Sequence, residues 1–166
     1  MAVLISIPIF TLLLIFQTAV VSRIELLHGT ADLVLLAVIA WALQKRVQTA
    51  WHWGIIAGLL VSLLSGLPMG VPLVGYLVVV GIALILRQRL WQVPILAMFV
   101  TTFLGTLLSQ AINLVALRLF GTSLPWLEAI NQITLPSVLL NLLLAIPFFA
   151  LLGDLANWLY PEELEV

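Results

Sequence analysis

The sequence predicts an all-α integral membrane protein, six transmembrane helices in one bundle, and three observations lead there. Hydrophobic residues make up 64% of the 166-residue chain and charged residues only 8%, with a mean hydropathy of +1.28, far from the balance of a soluble domain. A run of 40 residues, Val47 to Leu86, contains no Lys, Arg, Asp or Glu. That is twice the roughly 20 apolar residues that cross about 30 Å of hydrocarbon, and LLSGLPMGVP near its middle supplies the glycines and prolines of a reversal.

The same length rule places helices near 3–21, 30–46, 50–66, 71–87, 92–120 and 134–160, all within a single transmembrane domain spanning 1–166. The first, MAVLISIPIFTLLLIFQTAVV, has no basic region before its apolar core and no small-residue cleavage pattern, so a retained helix is expected rather than a signal peptide. The second is slightly short. Its ends are nonetheless well formed: Thr30 can cap, Asp32 sits in the first turn, and Lys45 and Arg46 complement the other pole of the helix dipole. Between the third and fourth helices, Ser65, Gly66, Pro68, Gly70 and Pro72 form an uncharged turn motif. The fifth is long enough to tilt or overhang the bilayer. In the sixth, Pro136 suits the first turn and Pro147 should introduce a kink.

Lys45 and Arg46 precede the third helix and Arg87 and Arg89 precede the fifth, so an even number of crossings puts both pairs on one side. The positive-inside tendency makes that side cytoplasmic, and with it both termini. Arg23 with Glu25, and Arg118 with Glu128, fall on the other side. Trp51, Trp53, Trp91, Trp126, Trp158 and Tyr160 are expected at the interfaces, and the acidic tail, Glu162, Glu163 and Glu165, in solvent.

Two helical faces stand out. Gly54, Gly58, Ser62 and Gly66 recur every four residues, a small-residue packing seam of the kind that lets membrane helices approach closely, expected to act within the chain. Thr102, Thr106, Ser109, Gln110 and Asn113 line up on the fifth helix and Asn141 on the sixth, a polar interior stripe suited to interhelical hydrogen bonds.

Chemistry finds little support. A net charge of -1 and a pI near 6.0 offer no basic surface for nucleic acid. Without cysteine there is no thiolate metal site or thiol nucleophile. His28 and His52 are predicted near opposite faces, so no metal or cofactor is expected. Ser65 lacks the glycine two residues before it that an intramembrane serine protease would carry, Leu63 standing there, and His52 is predicted at the other face. Asp154 follows Gly153, but Leu151 breaks a Gly-x-Gly-Asp pattern and Asp32 lies across the membrane from it. The reading is a non-enzyme.

Four segments carry a family resemblance: LIFQTAVV, ADLVLLAVIAWAL, GIIAGLLVSLLSGLPMGVPLVGYLVVV and LPSVLLNLLLAIPFFALL. Their order resembles the rod shape-determining protein MreD family of the bacterial inner membrane. The third segment keeps Gly58, Leu63, Leu64, Ser65, Gly66, Pro68 and Gly70 of the family phrase, with Ser62 where an acidic residue is usual. Asp32, Pro136, Ser137 and Asn141 match further family positions. The resemblance implies a non-enzymatic scaffold of the elongation machinery. Such a protein binds MreC, and acts indirectly with MreB, RodA and a class B penicillin-binding transpeptidase in lateral peptidoglycan synthesis. The alternative reading is a substrate-binding S component of an energy-coupling-factor vitamin transporter, whose bundle is similar in outline. It requires a pocket of convergent polar groups and a small-residue face on the first helix, where Ala2 and Ser6 are followed by Phe10.

Overall fold

A computed structural model of the chain describes residues 2–23, 26–121 and 125–161. Among the described residues the secondary structure is helical, with one isolated bridge between Leu26 and Gly29. The helices are α1 (Ala2–Ala19), α2 (Leu33–Ala42), α3 (Ala50–Leu64), α4 (Val71–Arg89), α5 (Pro94–Leu119), the short α6 (Trp126–Ala129) and α7 (Leu135–Leu159). A π-helical turn, Ile130–Thr134, joins α6 to α7. Four helical stretches are long and apolar enough to cross a membrane: α1, α4, α5 and the rod Trp126–Leu159. That is the make-up of a multi-pass membrane protein.

The first and last described residues lie at one end of the bundle, hereafter the terminal end. The Trp53 indole N–H at the start of α3 donates to the Ala2 carbonyl at 3.1 Å, and Arg46 Nη1 donates to the Tyr160 carbonyl at 3.2 Å. Lys45, Arg46, Arg87 and Arg89 gather at this end, as their spacing predicts. Glu25 and the tail glutamates Glu162, Glu163 and Glu165 lie outside the described residues.

The second helix departs from expectation. Instead of covering 30–46 it covers ten residues, all of them buried, with Asp32 rather than Thr30 as its cap. At about 1.5 Å per residue it is roughly 15 Å long, half of a hydrocarbon core, so the helix alone is too short to cross one. Non-helical backbone at such depth is tolerable only when surrounded by protein. The helix itself is surrounded by protein, since α2 runs along the middle of the bundle and packs on α1, α3, α4, α5 and α7, whereas Leu26, Leu27 and His28 before it and Lys45, Arg46 and Gln48 after it are exposed.

Buried aromatics close the terminal half. Trp41 of α2 stacks on Trp53 of α3 with ring centroids 4.0 Å apart, and Phe10 of α1 meets Trp53 edge-on at 5.2 Å. Trp53 is therefore core and not part of an interfacial belt, a correction to the expectation for it; its indole N–H could be buried because the Ala2 carbonyl accepts it. Trp51, Trp91, Trp126 and Trp158 are exposed. Ala2, Ser6, Phe10 and Leu14 form the buried stripe of α1. Pro147 lies within α7, which continues as one helix past it.

The packing seam holds for three of its four members. A Cβ on Gly58 would come within 2.6 Å of the Leu73 Cα of α4, and one on Gly54 within 2.7 Å of a Val80 methyl, so α3 and α4 touch almost backbone to backbone. Ser62 is buried on the same face and returns its hydroxyl to the Gly58 carbonyl at 2.7 Å. Gly66 does not belong: it follows the end of α3, is exposed, and faces open space.

Candidate functional site

The start of α2 is the most heavily connected polar point of the described bundle. A helix start leaves N–H groups without intrahelical partners, and in an apolar interior each must be met by a side chain. Asp32, extended at φ -103°, accepts from the Leu35 N–H at 2.9 Å as N-cap. Its own N–H donates to Asn141 Oδ1 of α7 at 2.8 Å, and the Leu33 N–H donates to Gln17 Oε1 of α1 at 2.9 Å. The Tyr76 hydroxyl of α4 donates to the Asp32 carboxyl group, 3.0 Å from each oxygen. Asn141 then passes its Nδ2 hydrogen to Thr106 Oγ1 of α5 at 2.9 Å. Side chains of α1, α4, α5 and α7 are thus tied to one helix end.

The loop before it is seated as tightly. A Cβ on Gly29 would stand 2.7 Å from the Ile133 carbonyl, the Pro136 Cβ and the Ser137 nitrogen. Only glycine lets residues 26–32 press against the beginning of α7. The His28 N–H donates to the Gln132 carbonyl at 3.0 Å, on the end of the bundle away from the termini.

Asp32, Pro136, Ser137 and Asn141, singled out in the sequence by the resemblance, therefore meet at one place. Gln17, from the first matching segment, joins them. Tyr76 escaped the sequence reading. A signal did exist: a lone tyrosine inside a charge-free apolar run carries a hydroxyl that must find a partner when buried.

The polar stripe divides. Thr102, Thr106 and Ser109 are buried, but among its α5 members only Thr106 reaches another helix through its side chain. The Thr102 hydroxyl has no partner among the described residues, nor has that of its neighbour Thr101. Gln110 and Asn113 instead border a cavity of about 220 Å³ with Leu67 and Thr134, and Asn113 Oδ1 is enclosed with no donor among the described residues. In the turn motif, the Pro68 carbonyl accepts from the Val71 N–H at 3.1 Å, Gly70 takes φ +91°, and buried Pro72 lies in the first turn of α4. The left-handed angle explains Gly70. The Ser65 hydroxyl is enclosed and has no partner among the described residues.

The opposite pole of α2 is held differently. Arg87 of α4 points one nitrogen, Nη1, at the carbonyls of Ala42, Gln44 and Val47, at 3.2, 2.9 and 3.0 Å. A cation thus meets the carbonyl end of the helix, as the dipole favours.

His28 and His52 stand at opposite ends of the bundle, as do Ser65 and His52 at the two ends of α3, and Asp154 belongs to the terminal end while Asp32 does not. An apolar groove of about 620 Å³ lies between the parts of α4 and α5 remote from the termini, bordered by Met69, Val74, Leu108, Val115 and Leu119. Comparison of the chain with protein-family models, curated proteins and solved structures finds no match. Fold and site together define a multi-pass helical membrane bundle organised around a buried central helix.

Proposed function

We propose that this chain is a non-enzymatic scaffold of the bacterial elongation machinery, an MreD-like protein of the inner membrane that crosses it six times with both termini in the cytoplasm. The observation that carries this reading is the convergence of Gln17, Asp32, Pro136, Ser137 and Asn141, far apart in sequence, on the buried start of α2 and the Gly29 loop that leads into it. Asp32, Pro136, Ser137 and Asn141 are among the positions that match the family, beside the turn phrase at 58–70, and Gln17 lies in the first matching segment; together they build the junction that lets the chain hold a short helix inside a membrane bundle.

Such a bundle offers a partner its membrane faces. The groove between α4 and α5 adjoins the turn at 66–72 and has the apolar lining that a partner's transmembrane helix fits. MreC is the partner proposed for it, through its transmembrane helix and the segment just outside, with MreB, RodA and the class B transpeptidase reached indirectly. The S-component reading has less support. The polar cavity at Gln110 and Asn113 is below the 300 Å³ or so of an ordinary ligand pocket, and the Ala2–Ser6 face of α1 is already buried within the bundle.

Copurification in detergent tests the proposal. The complex with MreC should survive moderate salt, because packing and not charge holds it, and Val115→Trp, which fills the groove, should abolish it. Loss of wild-type binding in moderate salt, or an unchanged complex with Val115→Trp, would contradict the mechanism.

A further inference from the structure

At the terminal end, the segment following α2 and the last turns of α7 enclose a cavity of about 260 Å³ beside the first residue of α5. Its polar lining is Gln44, Lys45, Arg46 and Asn157, and Leu43 and Phe149 are among its apolar walls. Lys45 is exposed; its ammonium stands 5.5 Å from the centre of the Trp91 ring and pairs with no carboxylate among the described residues. Arg46 is anchored by its bond to the Tyr160 carbonyl. Arg87 and Arg89 add positive charge at the same end. Asp154 opposes them, exposed on α7 one turn before Asn157 and outside the cavity lining.

The surroundings are those of a membrane interface. Trp91 and Trp158 are exposed at this level, where aromatic side chains meet lipid headgroups. Just inward, Ile95, Leu96 and Leu151 present exposed apolar surface on α5 and α7. Basic recesses between membrane helices take anionic headgroups, because cations meet the phosphate while hydrocarbon chains follow the helices. We propose that this cavity binds an anionic phospholipid. Lys45 engages the phosphate with Arg46 adding positive charge beside it, Asn157 and the second amide hydrogen of Gln44, whose Nε2 also donates to the Ala40 carbonyl at 3.2 Å, supply hydrogen bonds, and the acyl chains lie along α5 and α7. A soluble anion would gain nothing from the apolar surface beside the recess. The inference does not depend on the MreC reading, since it concerns the opposite end of the molecule from the proposed partner turn.

The test is native mass spectrometry and thermal melting of the full chain in neutral detergent, with phosphatidylglycerol or phosphatidylcholine of identical chains added. Phosphatidylglycerol should be retained and should raise the melting temperature more than phosphatidylcholine. Lys45→Gln should weaken its retention about fivefold, and Lys45→Arg should keep it. Lys45 makes no hydrogen bond within the described chain, so its variants are expected to fold; their melting without lipid checks this. Equal retention of both lipids, or full retention in Lys45→Gln, would overturn the proposal. So would an equal stabilisation by inorganic phosphate alone, which would mark an anion site without a lipid.

Discussion

The two ends of α2 meet the same physical demand in opposite ways. At its start the unpaired N–H groups are met inside the bundle by Asp32, Gln17 and Asn141, which are themselves tied to Tyr76 and Thr106. At its finish one partly exposed arginine, Arg87, collects three carbonyls beside the basic surface. Water explains the difference. A donor left alone in an apolar interior bears its full desolvation cost, whereas a carbonyl near an interface can turn to solvent. The inner end therefore needs a network specified by several helices, and the outer end needs a single flexible cation.

Removing the two caps should separate the cases. Asp32→Ala strips the N-cap and leaves the Tyr76 hydroxyl unpaired, and should cost about 3 kcal/mol in detergent unfolding. Asp32→Asn, which keeps an acceptor for Leu35, should recover part of that loss. Arg87→Met should cost only about 1 kcal/mol, because solvent replaces the guanidinium. Equal losses for Asp32→Ala and Arg87→Met would erase the distinction between a dry and a wet end. Tyr76→Phe sharpens the comparison at its smallest scale. It deletes one interhelical hydrogen bond and should lower stability by about 0.6 kcal/mol, the usual worth of such a bond between membrane helices. A loss as large as that of Asp32→Ala would mean that Tyr76, and not the cap, organises the junction.

Much of this architecture is legible in residue order, and the reasons are local. Hydrocarbon thickness sets helix length, so the expected spans near 3–21, 71–87 and 92–120 lie within a few residues of α1, α4 and α5. Gly54 and Gly58 announce close packing, because a Cβ at Gly54 would strike the Val80 side chain and one at Gly58 the Leu73 backbone. Gly66 shares their spacing but not their role, since periodicity continues on paper after the helix has stopped. Asp32 is readable as a helix-start residue, but its partners on α4 and α7 are not, being separated from it by 44 and 109 positions. Trp53 illustrates the same limit. An amphipathic ring at a helix start suits an interface equally well, and only the Ala2 carbonyl and the Trp41 ring bring it inside.

Transfer free energy acts residue by residue, and so composition and spacing alone dictate a membrane bundle, most of its helix limits, the α3–α4 seam and the gathering of cations at one end. Which helix occupies the centre, and how its ends are satisfied, arises only on assembly. Hydrogen bonds among five helices are long-range and geometric, and no local pattern distinguishes a helix bathed in lipid from one surrounded by its own chain.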